Sequence, residues 1–266
     1  LLFTLKKVSK FDRNSPNLEN SIQSKDVWII DSSSSFNKKS LFNNFASYLK
    51  EELSKNNLGY ANIICASGPR FCQVGASPKN PNNPMPCATC IDSSLKTNSN
   101  NIYFLSDDKN NIPNTDTDNI KILIKPSKKW LLRESSNFKV AQNLENKLVS
   151  ASHKWINFLD QFKNEDLPKI AFIFNGYTFP EAIIKSYLEK KGVKVLTYES
   201  GFLENSIFVT DKYAPELFFN YKKRSLTSSE KEKLKIYVER RKKGNFDRAG
   251  TSFWNEITEL SEEYKD

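Results

Sequence analysis

The sequence predicts an α/β fold, a parallel sheet flanked by helices, and three observations lead there. First, residues 170–201 read IAFIFNGYTFPEAIIKSYLEKKGVKVLTYESG. An apolar run, an Asn-Gly turn, a helical pattern, a glycine stop and a second β-branched run follow one another. That order is the βαβ unit of a parallel sheet. Second, short apolar or β-branched runs recur upstream and alternate with longer segments of helical spacing. Third, 266 residues are enough to bury one large α/β core, or one core and a smaller lobe.

Taken in order, residues 1–25 are a polar lead-in after a short apolar start. Residues 27–31 (VWIID) suit a first strand, and the serine run 32–35 follows it. A helix is expected over 38–53, with Leu41, Phe42, Phe45, Tyr48 and Leu49 on one face. Residues 61–65 (ANIIC) form a second strand. Residues 68–83, rich in Pro, Gly and Asn and without a period, form an irregular loop. Residues 101–105 (NIYFL) and 120–124 (IKILI) read as two more strands, with a mobile Asn/Asp-rich surface loop over 106–119 between them.

Residues 143–162 carry Leu144, Leu148, Ala151, Trp155, Phe158 and Leu159 at helical spacing, the long helix that feeds the βαβ unit. Within that unit, 170–174 and 193–197 are the strands and 180–191 the helix. Residues 206–210 are short and extended. A turn then leads into 217–221. Residues 228–243 form a highly charged helix capped at Ser228 or Ser229 and stopped at Gly244. Residues 253–264 suit a last short helix. The expected division is one domain over 1–225 and a charged helical linker over 226–266.

Composition narrows the function classes. A hydrophobic fraction of 38% with 27% charged residues fits a soluble globular protein with long polar loops. No apolar run approaches the ~20 residues that span a bilayer. No basic-then-apolar leader is visible, and four cysteines do not make a disulfide scaffold, so the expected compartment is the reducing cytosol. The net charge of +9 is mostly Lys. It reads first as a solvated basic surface, and otherwise as a weak attraction to anionic surfaces, membrane headgroups included. No Lys/Arg stripe interleaved with aromatics grips nucleic acid, so none is expected as a partner. The chain opens Leu1-Leu2-Phe3 with no Met, and residues upstream are expected.

Candidate chemistry lies where open parallel sheets bind ligands, just past the carboxyl ends of the strands. Asn175 and Gly176 follow the first βαβ strand and Glu199 follows the second. Glu199 follows an apolar run instead of lying on a charged face, which suits a general base. It suits equally a group that holds the turn. Ser32 and Ser33 could offer hydroxyls and amides to an anion, or simply cap the following helix. Glu181, in the first helical turn, needs no more than its favourable place on the helix dipole. The one histidine, His153, sits mid-helix beside Trp155 and reads as structural or exposed before it reads as a base. Cys65, Cys72, Cys87 and Cys90 have the spacing C-x6-C-x14-C-x2-C. Thiolates at such positions suit a structural zinc ion. Reduced or locally paired thiols and, less readily, a redox CxxC are the other readings. No dinucleotide fingerprint or phosphate-binding P-loop is present, which argues against NAD, FAD and P-loop ATP chemistry.

The order of these features resembles bacterial capsule and surface-polysaccharide glycosyltransferases of the two-domain GT-B type. The residues that carry the resemblance are Asn175-Gly176-Tyr177, Glu181-Ala182 and Glu199-Ser200-Gly201. Cys65, Cys72 and Pro86-Cys87-Ala88-Thr89-Cys90 add to it, with Arg240 or Arg241, Gly244 and Trp254 similar to the linker toward a second domain. Tyr177 and Ser200 stand where that family often has Arg, which leaves unsupported here whatever contacts those arginines make.

The resemblance implies a Rossmann-like, acceptor-side N-terminal half, with the C-terminal domain missing from this chain. It implies sugar transfer from a nucleotide-sugar donor to a glycan or lipid-linked acceptor in capsule or lipopolysaccharide synthesis. Glu199 would be the catalytic base, with Asn175, Gly176, Tyr177, Gly201, Ser32 and Ser33 lining the substrate. The chemistry would need no metal cofactor. The expected place is the cytoplasm, with peripheral contact at the inner membrane face. The rival expectation is a non-catalytic Rossmann-like binding module with a cysteine-stapled loop.

Overall fold

A computed structural model describes residues 26–30, 41–65, 71–72, 101–104, 117–132, 138–200, 207–212 and 225–242. Its centre is a six-stranded sheet formed by β1 (Val27–Ile30), β2 (Tyr60–Cys65), β3 (Asn101–Phe104), β4 (Ile170–Phe174), β5 (Lys194–Ser200) and β6 (Ile207–Thr210). The spatial order is β3-β2-β1-β4-β5-β6. β1 to β5 run parallel and β6 closes one edge antiparallel to β5. The helices are α1 (Leu41–Lys55), α2 (Thr117–Leu132), α3 (Phe138–Leu159), α4 (Glu181–Lys190) and α5 (Ser228–Lys242). This is an α/β protein with a mostly parallel sheet flanked by helices, compatible with a Rossmann-like domain.

The two faces of the sheet are covered differently. Trp28, Ile30, Ala61, Ile63, Ala171, Ile173 and Val195 point to one side and pack on α2, α3 and α4. Val27, Ile29, Tyr60 and Phe172 point to the other and meet Ala46, Leu49 and Leu53 of α1. Alternation along each strand produces this split, and burial on both faces explains why β1 is apolar at all four positions. The chain steps from β1 to β2 in one direction and from β4 to β5 in the other. Crossovers of one hand then place α1 and α4 on opposite faces. Between the two steps lies the β1–β4 boundary, the switch point of the sheet. An edge-on aromatic chain, Trp155 to Phe158 to Phe162 to Trp28, anchors α3 and the turn after it to β1.

Most expected elements are present with ends moved by a few residues. Two expectations need correction. Residues 120–124 are not a strand but belong to α2. Ile120, Ile124, Ser127 and Leu131 of that helix are buried, a spacing of four, three and four residues, while Ile122 is 67% exposed. Three isoleucines at alternate positions mimic period two, and Pro126 reads as a stop just beyond them. Only the wider window shows the helical period. Second, α5 is capped by Thr227, not by Ser228 or Ser229. Glu230 N–H donates to Thr227 Oγ1 (3.3 Å) and Thr227 N–H donates to Glu230 Oε2 (2.9 Å), a reciprocal capping box.

Smaller differences concern faces and limits. Among the side chains described on α1, Ala46, Lys50 and Leu53 are buried, while Tyr48 is exposed. Residues 117–119, expected in a loop, are the first turn of α2. Phe162 lies past the end of α3 but is buried in the same core as Phe158. The side chains described on α5 are solvent-exposed, with Glu230 and Tyr237 partly covered. The lead-in, the loop expected over 68–83, the segment 217–221 and the helix expected over 253–264 lie wholly or almost wholly outside the described residues. Among those residues, no helix is long and apolar enough to cross a membrane.

The correction at α2 sets a direct test. Ile124→Ala should cost about 2–5 kcal/mol as a large-to-small core change. Ile122→Ala should stay within about 0.5 kcal/mol. Denaturant unfolding of both variants measures this. Similar losses at 122 and 124 would instead fit a strand with both on one buried face.

Candidate functional site

The site begins with register. β4 and β5 pair in parallel with Phe174 opposite Tyr198, so Asn175 and Glu199 come next on neighbouring strands. The Asn175 N–H donates to the Tyr198 carbonyl (2.8 Å), carrying the ladder one residue past β4. The Asn175 side chain then bridges the gap: its Nδ2 donates to Glu199 Oε2 at 2.7 Å. Its Oδ1 accepts the Tyr177 N–H at 3.0 Å, an Asx turn. Both side chains are half-buried at the rim of the sheet.

The backbone turns sharply here. Asn175 has φ 61° and Gly176 has φ 70°, the left-handed region that Asn tolerates and Gly adopts without penalty. Space also demands glycine at 176. A Cβ there would lie 2.4 Å from Thr197 Cγ2 and 3.2 Å from Lys185 Cδ. Thr197 is itself fixed, its Oγ1 donating to the Lys212 carbonyl at 2.6 Å. Val195, Thr197 and Glu199 alternate onto one face of β5, and that face is the one covered by α4. On the other face, the Tyr198 ring packs between Phe45 of α1 (4.9 Å) and Phe174 (5.7 Å).

The loop that leaves this turn is held from three sides. Phe179 N–H donates to the buried Ser127 Oγ of α2 at 2.7 Å. The Phe179 ring meets Phe71 edge-on at 5.7 Å. The Ala182 N–H donates to the Thr178 carbonyl at 2.8 Å and starts α4. The Phe179–Pro180 peptide is cis. Cys65 ends β2, and Cys72 follows Phe71, a core residue 3% exposed, so both half-buried thiols belong to the carboxyl side of the sheet.

Four expected site residues, Asn175, Gly176, Tyr177 and Glu199, are therefore brought together. Ser32, Ser33, Gly201, Cys87 and Cys90 lie outside the described residues. Among the described residues, no group of three or more His, Cys, Asp and Glu is placed to hold a metal ion. Sequence reasoning missed Ser127 and Thr197, the hydroxyls that fix the site's walls. It also underrated Glu181, which is fully buried, and Lys185, which is 4% exposed and ion-paired with Glu189. The visible signal was their spacing: Glu181, Lys185 and Glu189 recur every four residues on one stripe of α4.

His153 is buried on α3, and burial holds its pKa below the ordinary 6.5. As pH falls, the unfolded chain takes up this proton before the folded one. The stability tied to neutral His153 is therefore complete above pH 6.5 and declines as pH falls toward the lowered folded value. Melting temperature should fall on acidification from pH 7 through that window, and His153→Gln should flatten the part of the slope due to this residue. An identical slope in the variant would contradict the assignment.

No protein-family model matches this chain, and comparison with curated proteins and with solved structures finds no match either.

Proposed function

We propose that this chain is the acceptor-side half of a GT-B-type glycosyltransferase that builds capsule or lipopolysaccharide. It would move a sugar from a nucleotide-sugar donor to a hydroxyl of a glycan or lipid-linked acceptor. The observation that carries the reading is the Asn175–Glu199 pair at 2.7 Å on the carboxyl rim of a parallel sheet. With Oε2 held by the Asn175 amide, the Glu199 carboxylate has a fixed orientation. In the proposed step it takes the proton of the acceptor hydroxyl as that oxygen bonds to the anomeric carbon and the nucleotide phosphate leaves. Asn175, the Gly176 amide and Tyr177 would bind sugar hydroxyls beside it, with Ser32, Ser33 and Gly201 completing the cleft. The leaving phosphate would be offset by a second domain, with no metal needed for the chemistry. Docking at the inner face of an anionic membrane would bring a lipid-linked acceptor within reach.

The cysteines have a separate, structural part in this proposal. Thiolate donors fit zinc, and Cys65 and Cys72 start from β2 and a core-anchored Phe71. With Cys87 and Cys90 they would hold one structural ion and staple the loop between them.

A non-catalytic binding module is the second reading, and one observation favours it. Both ends of the Asn175 side chain are bonded inside the protein, as a purely structural clamp would require. Glu199→Gln separates the two readings, because glutamine still accepts the Asn175 amide bond but cannot take a proton at working pH. In the longest form of the protein, assayed with labelled nucleotide sugars and cell-envelope acceptors, this variant should lose on the order of 10²-fold or more in turnover. Its melting temperature should change little. Transfer at the wild-type rate would remove Glu199 from the chemistry, and no transfer by the wild type from any donor would favour the binding module.

A further inference from the structure

We propose that a groove beside the Asn175 turn binds a phosphate ester that carries an apolar chain. The groove encloses about 410 Å³. Ile122, Leu123, Lys125, Pro126 and Lys129 of α2 form one wall, and Tyr177 and Ala182 complete the lining.

Its chemistry is two-sided. Lys125 and Lys129 stand one helical turn apart and share a face of α2. Among the described residues neither has a carboxylate partner, whereas Lys121 pairs with Asp118 at 3.6 Å and Lys128 pairs with Glu145. Two like charges at this spacing repel, and an anion between them removes the repulsion. A phosphate monoester carries close to two negative charges near neutral pH, which matches two ammonium groups. The other lining residues offer hydrocarbon: a leucine, a proline, an alanine, a tyrosine ring and Ile122, a residue 67% exposed. Inorganic phosphate would use only the lysines and leave Ile122 in water. A neutral hydrocarbon would use only the apolar wall. A molecule with both parts satisfies both.

Position links the groove to the site. Tyr177 lines the groove, and its N–H is bound by Asn175 Oδ1 at 3.0 Å. The groove's part as an acceptor subsite rests on the glycosyl-transfer reading, but its ligand preference does not. The phosphate ester could be a free molecule or the headgroup of a bilayer lipid, and the test separates these sources.

Titration calorimetry of the wild-type protein with hexyl phosphate, hexanol and inorganic phosphate measures the first source. Flotation with phosphatidylcholine vesicles containing phosphatidic acid measures the second. Hexyl phosphate should bind at least tenfold more tightly than either hexanol or inorganic phosphate, and binding should weaken with added salt. The Lys125→Gln/Lys129→Gln double variant should lose at least tenfold in affinity at unchanged melting temperature, since both side chains are exposed. Vesicle binding that the double variant abolishes, with or without hexyl phosphate binding, supports the groove and assigns a bilayer source. Hexyl phosphate binding alone supports it and assigns a free ligand. Binding of neither probe, or binding that survives in the double variant, overturns the proposal. Because binding is read without transfer, a wrong assignment of the reaction does not disguise a wrong groove.

Discussion

A single side chain joins the tips of two parallel strands. Asn175 leaves β4 in the left-handed region, donates across to Glu199 at the end of β5, and accepts the N–H of Tyr177. Parallel register alone puts these residues opposite each other. The amide converts that neighbourhood into a fixed rim. The next residue must be glycine, because its φ is positive and Thr197 occupies the space a Cβ would need. Thr197 is in turn fixed by its bond to Lys212, and the following loop by Ser127 and Phe71. Any chemistry at this rim depends on that chain of contacts.

The sheet order explains why this rim is a good place for a ligand. Strands added outward in both directions from the β1–β4 boundary send their connecting helices to opposite faces. In open parallel sheets of this order, ligands bind outside the carboxyl ends of the strands near such a boundary. Asn175 extends β4, which borders that boundary. α4 brings an unusual load to the same region. Its first turn buries Glu181 completely, and its second buries Lys185 against the Gly176 turn. Buried charge is costly to leave uncompensated, and the Lys185–Glu189 ion pair supplies one compensation. A helix that only supported a sheet could place apolar residues there.

Much of the fold was legible in the sequence because burial on both faces makes parallel strands nearly continuous apolar runs. Residues 27–30 and 170–174 are examples, and the buried stripe of α3 declared itself through six apolar residues at helical spacing. Residues 120–124 misled because five residues are too few to separate period two from period 3.6. That Asn175 and Glu199 share one rim was legible from two adjacent parallel strands, but β5 runs on through Glu199 to Ser200, where it pairs with β6, and their hydrogen bond had no sequence signal. What could not be read was the support: Ser127 bonds a residue 52 positions away and Thr197 one 15 positions away. Neither partner leaves a local signature. The complete burial of Glu181 was hidden for a related reason, since an acid in a first helical turn is ordinary on any exposed helix.

The central claim is that Asn175 and Glu199 act as one unit, and a double-mutant cycle tests it most directly. Asn175→Ala, Glu199→Ala and the double variant would be unfolded by denaturant at one pH and salt concentration. A hydrogen bond to a charged group, partly shielded from solvent, should give a coupling of about 1–3 kcal/mol. Losses that add to within about 0.5 kcal/mol would show that the two side chains do not depend on each other, and would contradict the account.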